Sequence, residues 1–107
     1  MTLLQIDFHS HGPWGEDLTR MASDLAHHLS KTPGMVWKIW TENSRTGDCG
    51  GVYLFTDESF ANDFLKEHLV RLHSKGITDV RAKVLDVNES LSHITRAPIA
   101  ARVAETA

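Results

Sequence analysis

The chain has 107 residues and a formal net charge of −3, with 41% hydrophobic and 23% charged residues, the profile of one ordinary soluble domain. The absence of a basic run argues against nucleic acid as a partner, because neutralising phosphates takes clustered Lys and Arg. No apolar run approaches the ~20 residues of a membrane span and no signal-peptide pattern opens the sequence. Cys49 is the only cysteine, so no internal disulfide is expected and a reducing, cytoplasmic setting fits.

A chain of this length buries roughly 60–70% of its unfolded surface. That supports a core without a deep cleft between lobes, so a site is expected between layers or between subunits. In chain order, LLQIDFH (from Leu3) alternates Leu4, Ile6 and Phe8 against Gln5, Asp7 and His9, the pattern of a strand. HGPWG breaks it. From Glu16 to Lys31, apolar residues at Leu18, Met21, Ala22, Leu25 and Leu29 have helical spacing. Glu16 and Asp17 at the start and Lys31 at the end suit the helix dipole.

GMVWKIWTE (from Gly34) predicts a second strand by its β-branched and aromatic content. Regular alternation puts Met35, Trp37 and Ile39 on one face and Val36, Lys38, Trp40 and Glu42 on the other. NSRTGD predicts a hairpin turn. CGGVYLFT returns as a third strand, with Gly50 and Gly51 marking a bulge or a close backbone approach. Thr56 or Asp57 caps a second helix whose stripe runs through Phe60, Ala61, Phe64, Leu65, Leu69 and Leu72 to Lys75-Gly76. DVRAKVLDV (from Asp79) is a fourth strand, and Asn88 caps a short helix reaching about Arg96.

The order β-α-β-β-α-β plus a terminal helix predicts an α+β fold of the ferredoxin-like type, one domain over residues 1–97. Residues 98–107 are expected to form a loose tail or an arm on a partner. Leu4, Ile6, Phe8, Trp37 and Ile39 are assigned to the core. The opposite face, with Lys38, Trp40 and Leu85, mixes charge with large apolar groups, as interfaces do. A homodimer packed sheet to sheet, with Trp40 at the contact, is therefore expected.

LLQIDF with the following GPWG, PGMVWKIWTE, GGVYLFTDE and KVLDVNESLS, taken as an ordered set over residues 3–97, resembles the YdhR family of mono-oxygenases. The resemblance implies membership of the dimeric α+β barrel superfamily, in which two ferredoxin-like sheets face each other. Relatives there include cofactor-free oxygenases of aromatic polyketides and haem-degrading enzymes. It carries over no catalytic residues, so those come from the pattern alone.

His68 falls four residues after Phe64 and four before Leu72, on the inward stripe. Placed against the sheet it would serve as general base; the competing expectation is a buried neutral histidine bonded to a backbone carbonyl. Tyr53 is the candidate donor to a bound carbonyl or phenolate. Phe8, Trp37, Ile39 and Phe64 are expected to form an apolar slot between helices and sheet for a small aromatic ligand. His9 and His11 lack an evident third metal ligand and suit a pocket rim. TGDCGG lacks the glycine spacing of a dinucleotide or phosphate loop, so neither cofactor nor metal is expected. These residues support a cofactor-free mono-oxygenase acting on an aromatic or quinol-like substrate. The alternatives are a non-enzymatic ligand-binding dimer and a haem-binding relative with His68 or His9 as axial ligand.

Overall fold

The computed structural model describes residues 1–99, so the expected tail or arm lies almost wholly outside the described residues. Strand β1 (Thr2–His9) leads into helix α1 (Gly15–Leu29). A hairpin of β2 (Met35–Asn43) and β3 (Asp48–Phe55) follows, then α2 (Glu58–Ser74), β4 (Arg81–Asp86) and α3 (Glu89–Ile94). The sheet is antiparallel with the order β2-β3-β1-β4. This is the ferredoxin-like arrangement expected from the sequence. None of the described helices is long and apolar enough to cross a membrane.

Local chemistry sets the element boundaries. The Asp57 carboxylate accepts from the Phe60 backbone N–H at 3.2 Å and caps α2, and Asn88 caps α3 through Leu91 N–H at 3.1 Å. Helix α1 has no side-chain cap of its own. Its first N–H, from Gly15, donates instead to the Glu42 carboxylate of β2 at 2.8 Å, which meets the positive end of the helix with a negative charge.

Helix α2 anchors the core, burying Ala61, Phe64, His68 and Leu72 against the sheet. Leu4, Ile6, Tyr53 and Phe55 meet it from β1 and β3. Helix α1 buries only Leu29. Leu25 is half-buried against the core, whereas Met21 is 65% exposed.

Strand β2 departs from the alternation expected for it. Met35 pairs with Phe55 and Trp37 with Leu54, so Val36 is an extra residue in a β-bulge. A bulge shifts the side-chain phase by one, and every residue beyond it changes face. Lys38 therefore lies opposite Tyr53, and Trp40 opposite Gly51, on the helix side. Trp37 and Ile39, assigned to the core from the sequence, face away from the helices. Lys38 and Trp40, assigned to the open face and its dimer contact, are likewise corrected to the helix side. Gly50 and Gly51 lie in regular register with β1 and β2; the bulge expected there sits in β2 instead.

The registers define rows across the open face. Trp37, Leu54, Leu3 and Leu85 form one apolar row spanning the whole sheet. Ile39, Val52, Gln5 and Lys83 form the next, and Thr41, Gly50, Asp7 and Arg81 the one after, with an ion pair between Asp7 and Arg81. The Trp37 indole N–H donates to the Pro98 carbonyl at 3.0 Å, which brings the segment after α3 beside the first row. Ile39 and Leu85 remain 53% and 43% exposed.

Phe55 has no exposed surface, and Phe55→Ala is expected to cost ~3–5 kcal/mol in urea unfolding. Asp57→Ala, which removes only an exposed cap, is expected to cost clearly less. Equal losses for the two would refute this division between core and cap.

Candidate active site

The gap between α1 and the sheet is a cavity of about 430 Å³. Helix α1 supplies Leu18, Met21, Ala22 and Leu25 to its roof. The sheet supplies Phe8, Lys38, Trp40, Cys49 and Tyr53. The end of α2 and the turn after it add His68, Leu72, Lys75 and Ile77, and Ser10, Gly12 and Pro13 close one rim. Among the described residues, no Asp or Glu lines it.

The floor is shaped by a missing side chain. A Cβ on Gly51 would lie 2.7 Å from Lys38 Cε and 3.4 Å from Tyr53 Cε1, so glycine there leaves the Lys38 stem its path. The Lys38 amine sits 3.4 Å from the centre of the Trp40 ring and 4.7 Å from that of Tyr53. No ion pair to Lys38 occurs among the described residues. Desolvation, reinforced by the nearby Arg71 charge, lowers its pKa to about 7, with Cys49 acting in the opposite sense. The face of Trp40 acts against this lowering, because it favours the ammonium form.

Beside Lys38 runs a short polar chain. Arg71 Nη1 lies 2.7 Å from His68 Nδ1, and His68 Nε2 lies 3.5 Å from the Tyr53 hydroxyl. A guanidinium can only donate, so Nδ1 is the acceptor and Nε2 carries the proton. That proton points at the Tyr53 oxygen across a long contact, which leaves the Tyr53 O–H free to donate into the cavity. Burial, with the charges of Lys38, Arg71 and Lys75, holds the His68 pKa down at about 3. Burial, only partly offset by Arg71, pushes the Tyr53 hydroxyl well above its ordinary range. Burial and the Glu42 carboxylate raise the Cys49 thiol, so it stays protonated at neutral pH.

His68, Tyr53 and Phe8, named from the sequence, all reach this cavity. Phe64 packs behind the pair, its ring centre 4.9 Å from that of Tyr53 and 5.0 Å from that of His68, and does not line the cavity. Trp37 and Ile39 do not line it either; the Val36 bulge sends them to the other face. Lys38 and Trp40 take their place. Sequence pattern missed them because they were read one residue out of phase. An axial role for His68 on a haem is disfavoured because both ring nitrogens face protein partners. The rings of His9 and His11 meet edge to face at 5.0 Å, and no cluster of three or more metal-ligating side chains occurs among the described residues.

The family model described as "Putative mono-oxygenase ydhR" matches residues 3–98. The chain belongs to this family. The fold is shared with two solved structures. One is described as a "putative antibiotic biosynthesis monooxygenase" from Deinococcus radiodurans, with TM-score 0.62 and 12% identity, covering 83% of this chain and 94% of that one. The other is SnoaB, a cofactor-independent oxygenase from Streptomyces nogalater, with TM-score 0.57 and 14% identity, covering 81% of this chain and 92% of that one. No protein of curated function matches the sequence.

His68 gives a testable sign. Its folded-state pKa of about 3 lies below the ordinary 6.5, so between these values the unfolded chain binds the extra proton. Its contribution to stability is present above pH 6.5 and is lost as the pH falls toward 3. The slope of unfolding free energy against pH in that window is expected to flatten in His68→Gln. An unchanged slope in a folded variant would show that His68 is not held neutral.

Proposed function

We propose that this protein is a cofactor-free mono-oxygenase for a flat, apolar substrate with an acidic C–H or O–H, such as an anthrone or a hydroquinone. The observation that carries this reading is an amine with no carboxylate partner among the described residues, set in an apolar cavity beside the Tyr53 hydroxyl. Family membership supports the reaction class; the roles of the residues come from the geometry.

Oxygen in its triplet ground state reacts slowly with closed-shell molecules, and a carbanion or phenolate overcomes this by giving up one electron. Neutral Lys38 takes the proton that frees the anion, and the resulting ammonium stays beside it. Tyr53 donates its O–H to the substrate oxygen, where charge collects. The anion passes an electron to oxygen, and the radical and superoxide combine at carbon to give a peroxide. Loss of a second C–H proton as the O–O bond breaks leaves a carbonyl and water. For an anthrone, a CH₂ group and O₂ become C=O and H₂O; for a hydroquinone, the diol and O₂ become a hydroxyquinone and H₂O, in neither case with an external reductant. The base role expected of His68 passes to Lys38, because His68 Nδ1 is engaged by Arg71 and Nε2 carries its proton. His68 then orients Tyr53.

We further propose a homodimer through the open face, centred on the exposed Ile39 and Leu85 rather than on Trp40 and Lys38. Leu54 is already buried within the chain and Trp37 is half-buried, so these two exposed apolar side chains are what a partner would cover. The lone cysteine suits a reducing compartment, and we propose the cytoplasm.

Oxygen consumption with a panel of anthrones and hydroquinones tests the reaction. Uptake is expected to rise with pH through about 7 as Lys38 loses its proton, and to fall ~100-fold or more in Lys38→Met. Saturable binding without uptake by any member of the panel would favour a ligand-binding module. In sedimentation the wild type is expected at twice 12.0 kDa and Leu85→Asp at 12.0 kDa. A wild type that sediments as the monomer removes the interface.

A further inference from the structure

We propose that Lys38 is a covalent capture site for carbonyl compounds, forming an imine with a flat aromatic aldehyde or conjugated ketone held under α1. The proposal shares the cavity with the oxygenase reading but none of its oxygen chemistry, so either can fail alone.

Three features of the cavity carry it. The Lys38 amine ends inside an apolar hollow, above glycine rather than a side chain that would block it. Among the described residues, no carboxylate lines the hollow to hold the amine as a salt-bridged ammonium. The Tyr53 hydroxyl belongs to the same row of the sheet, directly across from Lys38, and the Arg71–His68 chain leaves its proton free to donate. An amine paired with a hydroxyl donor in a largely apolar pocket is the arrangement that addition to a carbonyl uses. Trp40 beneath the amine and Phe8 across the floor offer faces for a planar ring. The other charged groups near the amine are Arg71, which favours the free amine, and Cys49, which opposes it when ionised but is itself held protonated. Lys75 lies at the cavity rim and Glu42 is engaged by the Gly15 N–H.

The step balances without oxidant or reductant. The nitrogen lone pair forms the C–N bond while the carbonyl π pair moves onto oxygen, which Tyr53 meets with a hydrogen bond. A proton passes from nitrogen to that oxygen, giving the carbinolamine. The C–O bond then breaks, the oxygen leaves as water with the second nitrogen proton, and C=N forms. The sum is R–CHO and Lys–NH₂ giving R–CH=N–Lys and H₂O.

The test is reductive trapping. The full-length protein is incubated at pH 7 with 2-naphthaldehyde and cyanoborohydride, and adducts are located by peptide mapping. Labelling at Lys38 is expected to outpace that at Lys31, Lys66 and Lys83 by ~10-fold or more, because an ordinary surface amine is almost wholly protonated at this pH. The Lys38 adduct is expected to slow several-fold in Tyr53→Phe and to vanish in Lys38→Arg, with labelling elsewhere unchanged. Excess unlabelled 2-naphthol, which fills the cavity but cannot form an imine, is expected to protect Lys38 alone. Labelling that follows surface exposure, with Lys38 unmodified or unprotected, would overturn the proposal. The wild-type map decides this even if a variant does not fold.

Discussion

The constraint on which the site depends is the phase of one edge strand. The extra residue at Val36 turns the remainder of β2 over, so that Lys38 and Trp40 lie under α1 while Trp37 and Ile39 lie outside. Without that shift the helix side of β2 would carry Trp37 and Ile39 in place of Lys38 and Trp40, with no amine among them. With it, a long cationic side chain is drawn across Gly51 into the space under α1. One inserted residue thus places an amine on the floor of the cavity.

The chemistry inside follows from how few polar groups share a dry space. Arg71 can only donate, which fixes the tautomer of His68, which in turn faces the oxygen of Tyr53 and leaves its proton for another acceptor. Each member also shifts the others. Arg71 and burial lower the proton affinity of Lys38, and Lys38 in turn helps keep His68 neutral. Such coupling is stronger than at a surface because these groups are largely buried, and no described carboxylate lines the walls. Phe64 stacks behind both rings and holds them in place.

Most of the architecture was legible in the sequence. The alternation in β1, the stripe of α2, the caps at Asp57 and Asn88, and the order of elements all reflect local rules that tertiary packing left alone. His68 was placed inward by its spacing from Phe64 and Leu72, and Tyr53 by its strand. The facing of β2 was not legible, because a bulge costs one residue of phase and Met35-Val36-Trp37 carries no glycine or proline to announce it. Gly50 and Gly51 drew attention to β3, where their role is close approach to neighbouring backbone and to Lys38 rather than a break in register. An error of one residue therefore exchanged a cavity wall for an interface and concealed the amine.

The way α1 is held has a consequence for what can enter beneath it. The helix is tied at one end by Glu42 and at the other by Leu29, with its middle resting on empty space. The ceiling of the chamber is thus a beam supported at its ends, whereas the floor is a hydrogen-bonded sheet. For the flat substrate proposed above, differences in thickness would then fall to the beam rather than to the floor, and a bound ring would cover the exposed Met21.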